Sequence, residues 1–332
     1  MAVLVCGGAG YIGSHMTAAL VDAGYDVVVV DNLDMGHQAA VWPKVHFYEA
    51  DVRDADALDK IFSVHNIDAV VNFAGYIAVG ESMENPAKYF DNNITGTLTL
   101  LDRMLAHNVK KLVFSSSASV YGIPDKTPIT EDMPNNPINP YAETKLGAEK
   151  IFKWYDNAYG LKYVALRYFN VAGAHESAKI GEDHDPETHL IPMCLRAAQG
   201  KTPSLKLFGD DYPTPDGTCI RDYIHVMDLV DAHILALEKL NRDSTSAIYN
   251  LGSQNGFSVK EIVTKVKEIT GVDFPTEMHP RRAGDPPSLV ASSQKIRTEL
   301  NWNPTRTTID NIIKTAWAWH SANPNGYSEI NE

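Results

Sequence analysis

A tyrosine and a lysine four positions apart, Tyr141 and Lys145, have the clearest potential for acid–base chemistry in this sequence. Pro140 directly before them favours the first turn of a helix, and a spacing of four residues puts both side chains on one helix face. A phenol is a poor base at neutral pH, but a neighbouring positive charge lowers its pKa. The pair therefore predicts a tyrosine base assisted by Lys145.

A serine-rich strand end supplies a possible partner for this pair. Residues 114–117 read Phe-Ser-Ser-Ser and close a predicted strand upstream of Tyr141. In open α/β sheets, ligands bind at the carboxyl ends of the strands, where a serine can meet a tyrosine from the following helix. The sequence thus predicts a catalytic site made of Ser117, Tyr141 and Lys145.

A glycine-rich segment near the start of the chain predicts a dinucleotide site. Gly7, Gly10 and Gly13 follow a predicted strand and open a predicted helix, and Gly8 adds an overlapping match. Glycines there allow a tight turn, close approach of a pyrophosphate and close packing of helix on strand. The helix N-terminus adds free N–H groups for the phosphates.

An acidic residue at the end of the second predicted strand indicates which dinucleotide binds. Asp31 can accept hydrogen bonds from ribose hydroxyls and would repel a 2′-phosphate, which favours NAD over NADP. The next residues, Asn32, Leu33 and Asp34, supply no basic side chain. Asp51, just after the third predicted strand, is a further candidate for contacting the adenine.

Strands and helices alternate over the first half of the chain, and these elements must position the residues above. Such a pattern predicts an α/β protein with a Rossmann-type, doubly wound parallel sheet. We expect strands at 2–6, 26–30, 45–49, 69–73, 111–115 and 163–168, and helices near 11–23, 54–64, 86–106 and 140–158.

The pattern becomes irregular after about residue 172. Segments 174–190 and 209–219 are rich in residues typical of loops. Short strands (204–208, 248–251, 274–278) and helices (227–240, 257–270, 306–320) are expected between and after them. The sequence therefore predicts an NAD-binding domain over 1–172 and a smaller α/β substrate domain over 173–332, with some later segments returning to the first domain.

Charge and composition argue against several classes of partner. The 332 residues carry 29 Lys and Arg against 42 Asp and Glu, a formal net charge of −13, which disfavours nucleic acid and anionic membranes. We expect neither a membrane span nor a signal peptide. Cys6, Cys194 and Cys219 lack metal spacing, so we expect buried thiols, no metal site and a cytoplasmic protein.

Taken together, these motifs resemble the extended short-chain dehydrogenase/reductase superfamily, and within it the nucleotide-sugar 4-epimerases, along essentially the whole chain. The matching stretches are 7–15, 31–33, 73–75, 79–82, 91–93, 114–122, 140–145, 167–174, 217–228, 249–252 and 281–285. Related dehydratases and decarboxylases carry acidic residues directly after the strand serine, whereas residues 118–121 here read Ala-Ser-Val-Tyr. Elimination would lack its proton shuttle, so redox-neutral epimerisation is favoured.

The resemblance implies a reversible interconversion of UDP-glucose and UDP-galactose at the sugar C4, as in galactose metabolism. Tyr141 would take the proton of the 4-hydroxyl while the C4 hydride passes to NAD, and Ser117 would hydrogen-bond the same oxygen. Lys145 would tune Tyr141 and hold the nicotinamide ribose. The 4-keto sugar would turn over and regain the hydride on its opposite face, so NAD would stay bound.

The same resemblance implies two sets of binding residues. The cofactor set comprises Gly7, Gly10, Tyr11, Ile12, Gly13, Asp31, Asn32, Asp51, Val52, Phe73, Ala74, Gly75, Ile77, Asn92, Ser117, Tyr141, Lys145 and Phe169. The substrate set comprises Ser117, Tyr141, Asn170, His189, Leu190, Lys206, Leu207, Phe208, Arg221, Arg282, Asp285 and Leu289. In this set the two arginines would grip the diphosphate, because their planar forks suit phosphate oxygens.

The remaining substrate contacts divide by the part of the nucleotide they would meet. The resemblance places Asn170, His189 and Leu190 beside the phosphates. It places residues 206–208 around the uracil ring, and Asp285 against the uridine ribose.

Two positions depart from the common pattern of these relatives. Many carry a lysine where this chain has Ile77, so one polar cofactor contact is missing or replaced. Leu289 stands where relatives vary between a bulky tyrosine and smaller residues, and it would leave room for an N-acetyl group. UDP-N-acetylglucosamine and UDP-N-acetylgalactosamine are therefore alternative or additional substrates.

Other readings of the sequence stay open. They are a UDP-glucuronate or UDP-pentose epimerase, a net oxidoreductase of the same superfamily, and an NAD-binding Rossmann protein without catalysis. The resemblance also implies a homodimer formed through the helices near 86–106 and 140–158.

Overall fold

The computed structural model of the protein describes residues 1–282 and 285–327. In chain order, the strands of this part are β1 (Ala2–Cys6), β2 (Asp26–Asp31), β3 (His46–Glu49), β4 (Ile67–Asn72), β5 (Lys111–Ser115), β6 (Lys162–Tyr168), β7 (Asn170–Ala172), β8 (Leu205–Phe208), β9 (Ile220–His225), β10 (Ala247–Leu251), β11 (Gly256–Ser258), β12 (Thr276–His279) and β13 (Ser288–Leu289). The helices are α1 (Tyr11–Asp22), α2 (Ala55–Val64), α3 (Val79–Glu84), α4 (Pro86–Phe90), α5 (Gly96–Ala106), α6 (Pro140–Tyr159), α7 (Leu190–Ala198), α8 (Val226–Arg242), α9 (Val259–Thr270), α10 (Gln294–Leu300) and α11 (Ile309–Ala322).

A seven-stranded parallel sheet, ordered β10-β6-β5-β4-β1-β2-β3, forms the centre of the molecule. Its inner strands are nearly continuous runs of buried apolar residues, as expected for strands covered on both faces. Helices α1 and α8 pack on one face, and α2, α5 and α6 pack on the other. The predicted Rossmann-type, doubly wound sheet is therefore confirmed.

The predicted helix near 86–106 is present, but it is not a regular α-helix throughout. A π-helical turn, Asp91–Thr95, separates α4 from α5. Asn93 in this turn accepts a hydrogen bond from the N–H of Tyr76 at 2.9 Å and donates to Thr144 Oγ1 at 3.0 Å. These tertiary contacts, which periodicity cannot reveal, hold the widened turn beside the cleft described below, and such turns are frequent at functional sites.

Short strands form two smaller sheets besides the large one. Strand β9 pairs with β7 and β13 in parallel and with β11 antiparallel, while β8 pairs with β12. The sequence patterns missed β7, β9, β11, β13, α3, α7 and α10. Most of these elements are shorter than seven residues, so their periodicity carries little signal.

The chain beyond residue 172 does not stay on one side of the molecule. Strand β10 lies at the edge of the large sheet, beside β6, whereas β7, just before the predicted boundary, pairs with β9. The division into domains 1–172 and 173–332 stays a prediction. Among the described residues, no helix has both the length and the apolar character needed to cross a bilayer.

Candidate active site

A cleft of about 460 Å³ opens at the carboxyl ends of the central strands. It lies where the strand order reverses, between β1 and β4, which is the position at which doubly wound sheets bind ligands. Its volume suits a ligand of drug size or larger. The predicted site residues that line it are Gly7, Gly10, Tyr11, Ile12, Gly13, Asp31, Asn32, Val52, Phe73, Ala74, Gly75, Ile77, Asn92, Ser117, Tyr141, Phe169, Asn170, His189, Arg221 and Leu289.

The glycine turn leaves no room for side chains at two of its positions. A Cβ on Gly7, whose φ is +75°, would lie 2.7 Å from the backbone nitrogen of Ala74. A Cβ on Gly13 would lie 1.9 Å from the carbonyl oxygen of Gly7. Among the described residues, no side chain caps α1 at Gly10. The first N–H groups of this helix are therefore available to an anion in the cleft.

Asp31 has a structural contact as well as a place in the cleft wall. Its buried carboxylate accepts hydrogen bonds from the N–H groups of Ala9 and Leu33, each at 2.9 Å. Burial raises the pKa of Asp31, and the backbone N–H groups of Leu33, Ala9 and Gly10 oppose that rise. The carboxylate thus braces the glycine turn while lining the cleft.

Asp51 lies apart from the cleft lining among the described residues. It forms an ion pair with Arg53 at 2.7 Å and accepts a hydrogen bond from Asn32 at 3.1 Å. The Arg53 guanidinium lowers the pKa of Asp51 to about 2. Its neighbour Val52 lines the cleft, so the adenine contact predicted for Asp51 has no support from its side-chain position.

A strand end and a long helix position the predicted catalytic residues. Asn139 caps α6 by accepting a hydrogen bond from Ala142 N at 2.8 Å, which fixes the helix start one residue before Tyr141. Ser117 follows β5, and its Oγ accepts a hydrogen bond from Ser119 N at 3.1 Å. Tyr141 and Ser117 both line the cleft.

Lys145 lies behind Tyr141 and does not line the cleft in the described structure. Its Nζ donates a hydrogen bond to the carbonyl oxygen of Ser115 at 2.8 Å and lies 5.8 Å from the centre of the Tyr141 ring. Burial lowers the pKa of Lys145 to about 8, and the charge of Glu149 opposes this shift.

Lys145 and the positive charge of NAD are together expected to lower the pKa of Tyr141, but in the protein without the cofactor that pKa is raised. Burial raises the pKa of Tyr141, and a hydrogen bond with Ser117 opposes that rise. Lys145 is directed at a backbone carbonyl instead of the phenol oxygen. A phenol buried in this way needs a further positive charge nearby to act as a base at neutral pH.

A buried ion pair, which the sequence analysis missed, supports this site from behind. Glu149 lies one helical turn after Lys145, accepts a hydrogen bond from Arg167 Nε at 2.9 Å and also accepts one from Ser116 Oγ. Arg167 Nη1 donates to the Tyr121 hydroxyl at 2.8 Å. The network ties α6 and β6 to the serine turn. The four-residue spacing from Lys145 was the only available signal.

The predicted nucleotide-binding residues lie on the short strands and are only partly in the cleft. Arg221, in β9, lines the cleft, donates to the carbonyl oxygen of Pro286 at 3.0 Å and pairs with the Asp285 carboxylate. The Arg282 guanidinium lies 4.2 Å from the centre of the Phe208 ring. Predicted residues outside the cleft lining of the described chain are Lys145, Asp51, Leu190, Lys206, Leu207, Phe208, Arg282 and Asp285.

Several lining residues were not predicted from the sequence. Tyr76 donates a hydrogen bond from its hydroxyl to the Asp34 carboxylate across the mouth of the cleft. Tyr89 is buried and donates to the carbonyl oxygen of Ala78 at 2.7 Å. Glu182 and His184 belong to the loop between β7 and α7. Tyr76 and Tyr89 belong to no motif, and only tertiary structure brings all four of these residues to the cleft.

The sheet is doubly wound and has a glycine turn at its first crossover. Asp31 ends the second strand, and Tyr141 lies in the cleft wall. Together these features define a dinucleotide-binding Rossmann protein. The sequence profile of the NAD dependent epimerase/dehydratase family matches residues 3–252. The chain therefore belongs to that family, which confirms the resemblance and the expectation of NAD as cofactor.

Individual relatives agree with this assignment over their full lengths. The UDP-glucose 4-epimerase of Halalkalibacterium halodurans is 53% identical over 332 residues, covering 100% of this chain and 99% of that protein. A crystal structure of a UDP-glucose 4-epimerase, 53% identical, has a TM-score of 0.98 and covers 99% of this chain and 100% of its own. The UDP-glucose 4-epimerase of Bifidobacterium longum, in complex with NAD+ and UDP, is 41% identical with a TM-score of 0.93, covering 98% of this chain and 100% of its own.

Proposed function

We propose that the protein is an NAD-dependent epimerase that interconverts UDP-glucose and UDP-galactose at the sugar C4. The observation that carries this proposal is the arrangement of Tyr141 and Ser117 in the same cleft wall as the glycine turn. One base beside a dinucleotide cradle suffices for reversible oxidation of a hydroxyl. Residues 118–121, directly after Ser117, supply no carboxylate for eliminating water.

The cleft suits NAD for reasons visible in its backbone. Gly7 and Gly13 keep the turn tight where side chains would collide with backbone, and α1 directs its free N–H groups at the cleft. Asp31 would hold the adenosine ribose, and its carboxylate would repel a 2′-phosphate. When bound, NAD accepts a hydride from the sugar and returns it, which leaves no net redox change.

The chain's own residues would handle the proton. Tyr141 would take the proton of the 4-hydroxyl and return it after the hydride comes back on the opposite sugar face. Ser117 would donate a hydrogen bond to the same oxygen and so stabilise its developing negative charge. Because burial raises the pKa of Tyr141, the positive charge of oxidised nicotinamide, together with Lys145, would favour the phenolate.

Local cations would hold a UDP group despite the net charge of −13. Arg221 lines the cleft and is pre-positioned by Asp285 and the Pro286 carbonyl, so its guanidinium would bind the diphosphate without first being ordered. Asn170 and His189 line the same region and would supply further contacts. The net charge argues against a polyanion as partner. Binding of a single nucleotide depends instead on a few positively charged or polar side chains at the site.

The protein would also accept UDP-N-acetylhexosamines. Leu289 lines the cleft and pairs across β13 and β9 with Arg221, so it lies close to the proposed diphosphate site. A leucine there occupies less depth than a tyrosine would, and it leaves an apolar space for an acetyl methyl group. Leu289→Tyr would fill this space and should therefore reduce turnover of the N-acetylated sugars.

The enzyme would act as a homodimer in the cytoplasm. Trp154 on α6 is 69% exposed and Leu98 on α5 is 36% exposed, and large apolar side chains at the surface are typical of interfaces. The three cysteines are buried free thiols, as suits a reducing compartment. Light scattering should give the mass of a dimer for the purified chain and a lower mass for Trp154→Glu. The mass of a monomer for both proteins would contradict the dimer.

The decisive experiment uses the purified protein with UDP-galactose and no added cofactor. We expect UDP-glucose to accumulate to equilibrium, because NAD is retained and regenerated within each cycle. Tyr141→Phe removes the proposed base and should reduce the rate by about 10²–10⁴-fold. An unmodified enzyme that converts nothing, or a Tyr141→Phe variant with full activity, would count against the assignment.

A further inference from the structure

Four side chains in the loop between β7 and α7 converge beside the cleft. They are Glu182, His184, Glu187 and His189, here named the His–Glu cluster, and one ligand atom from each lies within 4.8 Å of all the others. Glu182 is 4% exposed, and the side chain of Glu187 is fully buried. Two buried carboxylates this close would repel each other strongly unless positive charge lies between them, which protonated histidines or a bound cation can supply.

Three of the distances within the cluster are close to those between neighbouring ligands of one small ion. His184 Nδ1 lies 3.4 Å from Glu182 Oε1 and 3.6 Å from Glu187 Oε2. His189 Nδ1 lies 3.0 Å from Glu182 Oε1. Tetrahedral zinc with ligands at 2.0–2.2 Å places neighbouring ligand atoms about 3.3 Å apart, which follows from the geometry of a tetrahedron.

The orientation of these atoms also points to an ion. Glu182 Oε1, His184 Nδ1 and Glu187 Oε2 are buried and, within the described residues, have no hydrogen-bond partner. They lie close together, yet their directions do not form hydrogen bonds with one another. Buried polar atoms are otherwise almost always paired. These three unpartnered atoms are candidate ligands, together with His189 Nδ1, which hydrogen-bonds Glu187 Oε1 at 2.9 Å.

We propose that the His–Glu cluster binds one divalent metal ion of the zinc class, with Glu182, His184, Glu187 and His189 as its four ligands. Two imidazoles and two carboxylates are a ligand set that zinc accepts, and four protein ligands make a closed, structural site without an open position for catalysis. The expectation of no metal site rested on the cysteines alone, and the spacing Glu-x-His-x-x-Glu-x-His was the signal that it passed over.

Such an ion would stiffen one wall of the cleft. Glu182, His184 and His189 line the cleft, and His189 is the residue from which α7 begins. The ion would therefore fix the loop and the start of α7 where the proposed phosphate contacts lie. Without an ion, the carboxylates raise the pKa of His184 to about 9 and that of His189 to about 10, so protons compete for the same nitrogens. The proposal does not depend on the epimerase activity.

The test is metal binding by the full chain after treatment with a chelator. We expect titration with Zn²⁺ to show one ion per chain with a Kd of about 1 μM or tighter, a value for one exchangeable protein site. Glu187→Gln and His184→Asn each remove a ligand and should weaken binding by about 100-fold or more. Zn²⁺ binding that is absent, or that both variants retain unchanged, overturns the proposal.

A control variant and a second probe keep the test decisive. His107 and Asp59 form a histidine–carboxylate pair at 2.9 Å outside the cleft lining, so His107→Asn should leave Zn²⁺ binding unchanged. Loss of binding in this control would show that the ion sits elsewhere. If a cluster variant does not fold, the visible spectrum of Co²⁺ added to the unmodified chain tests the site instead. Intense visible bands of tetrahedral Co²⁺ support the site, whereas a faint octahedral spectrum or none rejects it.

Discussion

The catalytic end of the cleft and its nucleotide end are built from different kinds of structure. Ser117 follows β5, a buried strand of five residues, and Tyr141 lies on α6, a capped helix of 20 residues. Arg221 and Leu289 lie on strands of six and two residues that pair with each other. The proposed catalytic residues thus lie on elements packed into the large sheet. The proposed nucleotide-binding residues lie on short strands that stabilise one another.

This difference predicts how variants at the two ends will behave. Changes near Ser117 and Tyr141 should act on stability and turnover, because that end is buried and rigid. Changes near Arg221 and Leu289 should act on which substrate binds and how tightly, with little effect on folding.

Removing the carboxylate behind the catalytic residues should have the largest effect. Glu149→Ala leaves the buried Arg167 guanidinium without its partner and Ser116 without an acceptor. Breaking a buried pair by removing one member costs about 3–5 kcal/mol. Urea unfolding of the variant and the unmodified chain, followed by circular dichroism, measures this loss.

A surface pair provides the matched control for that measurement. Lys265 and Glu268 form an ion pair at 2.8 Å on the exposed face of α9, and Glu268→Ala should leave the urea midpoint nearly unchanged. Equal midpoints for Glu149→Ala and Glu268→Ala would mean that the rigid end of the cleft does not depend on its buried pair.

A bulkier residue in place of Leu289, at the nucleotide end, should have the second-largest effect, which is a change in substrate preference. Leu289→Tyr fills the space that we assign to an N-acetyl group, and it should lower kcat/KM for UDP-N-acetylglucosamine by about 10–100-fold. Turnover of UDP-glucose should change much less. Leu289→Met conserves volume and should keep both activities. Equal kinetics of the unmodified enzyme and Leu289→Tyr on the N-acetylated sugar would contradict the proposed pocket.

The same contrast explains which parts of the molecule could be predicted from sequence. Local hydrophobic patterns predict the elements that carry the glycine turn, Asp31 and the Tyr141–Lys145 pair, because each element is formed by consecutive residues. Strand β9 forms only when distant segments meet, so no local pattern marks it. The His–Glu cluster instead comes from residues 182–189, whose spacing of acidic residues and histidines is a local signal. Asp285 was predicted as a ribose contact, whereas its carboxylate pairs with Arg221, a partner 64 positions away.

A conservative change at the diphosphate anchor should have a smaller effect, confined to affinity. Arg221→Lys keeps the charge but loses the planar fork that would grip two phosphate oxygens, so the Kd for UDP should rise about tenfold. The kcat should stay nearly constant, since the residue lies away from Ser117 and Tyr141. Arg242 is a largely exposed surface arginine, and Arg242→Lys should bind UDP normally. If Arg221→Lys lowered kcat and left the affinity for UDP unchanged, Arg221 would act at the catalytic end of the cleft, which contradicts its proposed role.

The smallest effect should be a shift in pH dependence that connects the buried pair to catalysis. The pKa of Lys145 is about 8, and its charged form, which supports the Tyr141 phenolate, is populated below that value. Turnover should therefore fall as the pH rises through about 8. Glu149 raises the pKa of Lys145, so Glu149→Gln should move this alkaline limb to lower pH, in profiles of kcat measured from neutral to alkaline pH.

The control for this shift lies on the same helix. Glu143 is exposed in the first turn of α6, so Glu143→Gln removes an equal charge that solvent screens and should leave the limb in place. A merely structural role for Glu149 would lower turnover at every pH without moving the limb. Only a shift toward lower pH, present in Glu149→Gln and absent in Glu143→Gln, fits a carboxylate that tunes Lys145 through the buried end of the cleft.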